Sequence, residues 1–97
     1  MVKMRVHGEY QRSYTKLLQD EPGIESLVDA AVSYFRKNPS DTRIANHELH
    51  GRLRGKWAFS VTDDIRIVYE WLGKMTVRYL AIGKHPTVYP KSRIGTS

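Results

Sequence analysis

His47, His50, Asp64, Arg66 and His85 are the side chains of this 97-residue sequence whose types and spacing could do chemistry. An imidazole titrates near neutral pH, so it can take a proton from a hydroxyl or give one to a departing oxygen. The arginine guanidinium keeps its proton and can hold two oxygens of one phosphate, which suits a developing oxyanion. Each residue also has an ordinary reading. His85 can be a surface-loop histidine, and Asp64, beside Asp63, a turn residue. Arg66 can form a salt bridge across a sheet with Glu70, two steps along the same strand face. His47 and His50 have the i, i+3 spacing of a metal pair on a helix. Gly51 and Gly55 make their surroundings loop-like, and a third ligand is not evident, so no metal site is expected.

These groups must be positioned by elements legible in the hydrophobic pattern. Met4–His7 reads as a short strand. Tyr10, Tyr14, Leu17 and Leu18 recur at helical spacing before Pro22-Gly23 breaks the chain. Ile24, Leu27, Val28, Ala31 and Phe35 form one apolar helix stripe, which Asn38-Pro39 ends. The chain then turns polar and basic up to Lys56. From Trp57 the period becomes two: Trp57, Phe59 and Val61, then a turn at Thr62-Asp63, then Ile65, Ile67, Tyr69 and Trp71. Gly73-Lys74 makes a hairpin turn before Met75, Val77, Tyr79 and Ala81. The expected fold is α+β in one domain over residues 1–97: a strand, a helical hairpin, then a three-stranded antiparallel meander. One sheet face should bury Ile65, Ile67, Tyr69 and Trp71 against the hairpin. Parity then puts Arg66, Glu70 and Arg78 on the opposite face.

Composition narrows the partners. Hydrophobic residues make up 40% and charged residues 27%, which is a globular balance. There is no cysteine, so disulfides, thiolate metal sites and cysteine nucleophiles are excluded and a reducing cytoplasm is the simplest address. The longest apolar stretches are strand-sized, so no membrane association is expected. The net charge of +6 favours a polyanion or an acidic protein as partner. Arg43, Arg52, Arg54 and Lys56, opposed only by Glu48, form the densest basic stretch, and Lys84, Lys91 and Arg93 follow in an acid-free tail. They would cradle phosphates, or else form a solvated basic surface.

The stretch HELHGRLRGKWAFSVTDDIRIVYEW, from His47 to Trp71, and VRYLAIGKHPTVY, from Val77 to Tyr89, resemble the catalytic half of the YafQ-like branch of the RelE/ParE superfamily of toxins. The resemblance rests on His47, Leu49 and Gly51, on Gly55 and Trp57, on Asp64 before the strand Ile65–Tyr69, and on Gly83, His85 and Tyr89. It implies a microbial ribonuclease-like fold and a toxin of a type II toxin–antitoxin system that cuts messenger RNA on the ribosome. It also implies a bacterial cytoplasmic address, a cognate acidic antitoxin and no metal or cofactor. The chemistry implied is attack of a ribose 2′-hydroxyl on the adjacent phosphate. That step needs a base, a cation for the phosphorane charge and an acid for the leaving 5′-oxygen.

On this resemblance His85 is the acid, and either His47 or Asp64 is the base, Asp64 otherwise orienting a histidine. Arg66 occupies the place of a strand arginine of the wider superfamily and would steady the phosphorane. Tyr89 would stack on a base. His50, Arg52, Arg54, Lys56, Arg78 and Lys84 would bind RNA. Two positions depart from the pattern: Ser60 replaces a histidine, and Ala81 replaces an arginine. Two other readings stay open, a gyrase-poisoning ParE-type toxin without ribonuclease activity and a catalytically degenerate antitoxin-binding module.

Overall fold

The structure, a computed structural model, describes residues 1–84. The chain runs through β1 (Lys3–Val6), α1 (Gly8–Asp20), α2 (Glu25–Lys37), β2 (His47–Glu48), β3 (Trp57–Ser60), β4 (Ile65–Trp71) and β5 (Thr76–Lys84), with short 3₁₀ turns between them. The α+β reading holds, and β3, β4 and β5 are the expected meander. Two features extend it. Strand β1 joins the sheet parallel to β5, and a two-residue β2 from the basic stretch pairs with β3, so the order is β1-β5-β4-β3-β2.

Local chemistry starts each helix. The Glu9 N–H donates to His7 Nδ1 at 3.0 Å, so His7 caps α1. Tyr10 and Leu17 are the buried residues of α1, and the Ile82 N–H donates to Ser13 Oγ at 3.0 Å, fastening that helix to β5. Helix α2 carries Glu25 in its first turn and Arg36 and Lys37 in its last, which suits the helix dipole. It buries Val28, Ala31 and Phe35, whereas Leu27, counted in the apolar stripe, is exposed. The Arg36 guanidinium and carbonyl both bond the Val2 backbone, tying the end of α2 to the entry of β1.

The helices cover one sheet face. Ile65, Ile67 and Tyr69 are buried there, with Trp71 packed at the margin, as the alternation in β4 requires. Phe35 stacks on Phe59 with ring centroids 4.5 Å apart and meets Tyr69 edge-on at 4.8 Å, so aromatic contacts join α2 to the sheet. In β5 the expected alternation fails after Tyr79. Val68 pairs with Ala81 but Tyr69 pairs with Tyr79, leaving Leu80 as the extra residue of a β-bulge. The bulge reverses parity, so Ile82, and not Ala81, joins Val77 and Tyr79 in the core. Met75 lies exposed in the preceding turn instead of starting the strand. Among the described residues, no helix is long and apolar enough to cross a membrane.

Candidate functional site

Directly paired residues of a sheet present their side chains on one face, so strand register places the candidates. Ser60, Arg66 and Gly83 form one row, and His47, Ala58, Val68 and Ala81 the next. Beyond these lies the Glu70–Arg78 pair. Because Phe59, Ile67 and Tyr69 face the helices, all these rows lie on the other, open face. The structure therefore brings His47 and Arg66 to one surface. Two strand spacings and one two-residue step separate their Cα atoms, roughly 12 Å on ideal sheet geometry. Both departures from the toxin pattern, Ser60 and Ala81, also fall on this face.

Arg66 sits where parity places it, and the salt bridge to Glu70 that was its ordinary reading is not formed. Its Nη1 donates to the carbonyls of Thr62 and Asp63, both at 2.7 Å, so it braces the β3–β4 turn and does not bridge to Glu70. Asp64 belongs to the same turn, exposed, with its N–H donating to Thr62 Oγ1 at 3.2 Å. The acidic candidate and the arginine thus meet around one turn, through its backbone. His47 is exposed, and its Nδ1 lies 2.9 Å from the Ala45 carbonyl. A carbonyl only accepts, so Nδ1 carries the hydrogen in that contact. In the neutral ring this leaves the Nε2 lone pair open to receive a proton.

Glu70 accepts from Arg78 Nε at 2.9 Å and from Arg78 Nη2 at 2.6 Å, both on Oε2, while its Oε1 lies 3.4 Å from Lys56 Nζ. The Arg78 hydrogen bonds, helped by Lys56, hold its carboxyl below the usual carboxylate range despite partial burial. Arg78 is on the open face as expected, and both it and Lys56 are engaged with this carboxylate. Lys84 lies apart from them. It pairs with Ile65, on the helix side, and its Nζ lies 3.5 Å from Glu21 at the end of α1. Arg43 also leaves the basic surface: it chelates Asp41 and lies 3.7 Å over the Tyr34 ring.

A further part of the site was not anticipated. Residues 49–56 read as a polar basic loop, yet they fold over the open face. Leu49 is buried with Ala58 and Val68, and Leu53 and Leu80 pack against them. The segment closes through Leu49 N–H to the Lys56 carbonyl, 2.8 Å, and Lys56 N–H to the Leu53 carbonyl, 2.8 Å. Gly51 and Gly55 have φ of 69° and 91°, conformations that other residues rarely adopt, and they allow the reversal. With Leu49 and Leu53 directed inward, His50, Arg52 and Arg54 are exposed on this flap. Among the described residues neither Arg52 nor Arg54 is in an ion pair. The signal in the sequence was the apolar pair Leu49 and Leu53 bracketed by glycines, obscured by the charges between them.

The flap yields a direct test. A Cβ on Gly55 would meet nothing within 4 Å, so the penalty for alanine there is conformational only. Gly55→Ala is expected to cost about 1–3 kcal/mol, measured by denaturant unfolding. An unchanged midpoint would show that the flap does not require the left-handed backbone.

Among the described residues, no group of three or more histidines and carboxylates is placed to hold a metal. His85 and Tyr89 lie outside the described residues, as do Lys91 and Arg93.

No family model and no curated protein matches the sequence. Solved structures do match in three dimensions. A copper-bound mutant toxin from Helicobacter pylori is 22% identical, with 92% of this chain and 100% of that chain covered and a TM-score of 0.75. A chain of the Escherichia coli DinJ–YafQ toxin–antitoxin complex is 19% identical, with 91% and 97% covered and a TM-score of 0.73. The YoeB/ParE toxin of Agrobacterium tumefaciens is 15% identical, with 87% and 99% covered and a TM-score of 0.71. The chain has the fold of these toxins.

Proposed function

We infer that this protein is the toxin of a type II toxin–antitoxin system and a metal-independent endoribonuclease that cuts messenger RNA on the ribosome. The observation that carries this reading is that His47, Arg66 and a cationic flap share the face of a toxin-fold sheet that the helices leave free. A phosphodiester held on that face has its phosphate at Arg66 and its 2′-hydroxyl towards His47 or Asp64. The base removes the 2′-hydroxyl proton, the 2′-oxygen bonds to phosphorus, and the bond to the 5′-oxygen breaks, leaving a cyclic phosphate. His85 returns a proton to the 5′-oxygen. Arg66 exchanges two neutral carbonyl acceptors for phosphate oxygens, which carry the opposite charge and match the planar guanidinium fork. Arg52 and Arg54 hold flanking phosphates, with His50 beside them, and Tyr89 stacks on a base.

The partner that silences the toxin is an acidic antitoxin, drawn to the +6 chain by long-range attraction. The DinJ–YafQ toxin–antitoxin complex supports this for a protein of the same fold. The site of action is the bacterial cytoplasm.

The test is a reconstituted translation reaction to which purified toxin is added. Messenger RNA should be cut at discrete positions within codons, and plasmid supercoiling in a parallel gyrase reaction should be unchanged. Gyrase–DNA adducts with intact message would replace this reading by gyrase poisoning. Intact message and normal supercoiling would leave a degenerate antitoxin-binding module.

A further inference from the structure

Glu70 is the only acidic side chain in β3, β4 or β5, and it stands on the face read as binding RNA. Its carboxylate is held between two cations, one on the neighbouring strand and one at the base of the flap. Arg78 directs two N–H groups at a single oxygen, and Lys56 approaches the other oxygen. A guanidinium fork beside an ammonium is also the arrangement that grips a phosphate. The side chains of Lys56 and Arg78 remain 38% and 42% exposed, so an anion from solvent can reach both. In that setting Glu70 fills the place of an anion.

We propose that Lys56, Glu70 and Arg78 form a backbone-phosphate subsite in which Glu70 is an internal competitor, displaced when an RNA strand binds. The proposal rests on the ribonucleolytic reading and adds a residue that sets how tightly RNA is held. Four residue steps separate Glu70 from Arg66, roughly 13 Å along β4, so the subsite takes a phosphate other than the one being attacked. While Glu70 is in place, the trio carries one net positive charge, and an incoming phosphate must displace a carboxylate. Glu70 thereby weakens the grip on any polyanion and favours strands that also engage Arg66 and the flap. Glu70 is a positioning residue in this scheme. The plainer role for the cluster is a cross-strand ion pair that steadies the sheet, and the two roles part experimentally.

The experiment compares binding of a fully 2′-O-methylated RNA, which cannot react, to the wild-type chain and three variants across a salt series. Glu70→Gln should bind several-fold tighter. Its plot of log affinity against log salt should steepen by about 0.7–1.4, the release expected from one or two more phosphate contacts on a single strand. Glu9→Gln removes the same charge from α1, where Glu9 bonds Arg12, and should do much less. Adding Arg78→Gln to Glu70→Gln should cancel the gain. If the wild-type chain binds RNA but Glu70→Gln matches Glu9→Gln in affinity and slope, the subsite is wrong and the functional reading stands. A loss of unfolding stability with an unchanged slope would likewise reduce the cluster to a structural pair. If no protein binds this free RNA, the functional reading is decided by the translation reaction, and the subsite by titrating inorganic phosphate against the Arg78 Nε–H resonance. Saturation at lower phosphate in Glu70→Gln than in wild type keeps the subsite; equal saturation overturns it.

Discussion

His85→Ala is expected to slow message cleavage by about 10²–10⁴-fold at saturating ribosome, the usual contribution of a positioned proton donor. Its affinity for RNA should stay near that of the wild-type chain. The expectation comes from the chemistry: a 5′-oxygen leaves poorly as an alkoxide, and a protonated imidazole supplies the missing proton. Arg66→Ala should be comparably damaging, for a different reason. The phosphorane gathers charge on its oxygens, and the guanidinium is the cation on the open face nearest the acidic turn. Arg66→Lys should restore only part of the rate, because an ammonium cannot make the two-pronged contact. Since Arg66 also braces the carbonyls of Thr62 and Asp63, each Arg66 variant needs an unfolding curve beside its rate. A stable Arg66→Ala that cleaves normally would remove the arginine from the mechanism. Wild-type single-turnover cleavage by His85→Ala would remove the histidine, leaving His47 and Asp64 to carry the proton transfers.

Much of this arrangement was legible in the sequence, and the rest was hidden for identifiable reasons. The side of the sheet that Arg66 occupies follows from local alternation, because Ile65, Ile67 and Tyr69 must go inward together. Its partner did not follow. Arg66 and Glu70 share a face, but residues four apart on one strand are roughly 13 Å apart, whereas directly opposed residues on neighbouring strands are roughly 5 Å apart. Cross-strand register therefore gives Glu70 to Arg78, and register depends on pairing over distance. The same limit concealed the parallel contact of β1 with β5, where Lys3 pairs with Thr76. The bulge at Leu80 carries no glycine or proline to announce it, and it moved Ala81 out of the core pattern. The flap was obscured by its own charge: Leu49 and Leu53 are the residues that decide its position, yet Arg52, Arg54 and Lys56 dominate its composition. His7 illustrates a fourth case. A histidine cap depends on one side-chain acceptor meeting one N–H, and spacing alone does not single it out.

Phe35→Ala is expected to be the most destabilising single truncation of the helical layer. The Phe35 ring is fully buried and meets four aromatic rings: Phe59 at 4.5 Å, Tyr69 at 4.8 Å, and Trp71 and Tyr79 each at 6.2 Å. Those partners lie on three strands, so one side chain locks α2 to β3, β4 and β5 together. Truncating a buried phenylalanine costs about 3–5 kcal/mol, through lost transfer energy and the cavity left behind. Domains of this size hold only about 5–15 kcal/mol in total, and each kcal/mol lowers the melting midpoint by about 4–8 °C. The variant should therefore melt tens of degrees below the wild-type chain, while Phe35→Leu, which refills part of the cavity, should lose distinctly less. A cost below about 1 kcal/mol by urea unfolding would contradict the burial of this ring and the packing of α2 on the sheet. The comparison also separates scaffold from chemistry. Phe35 faces the covered side of the sheet, and its ring contacts involve none of His47, Asp64 or Arg66. At a temperature where Phe35→Ala remains folded, it should cleave RNA at nearly the wild-type single-turnover rate, whereas Arg66→Ala should stay slow at every temperature.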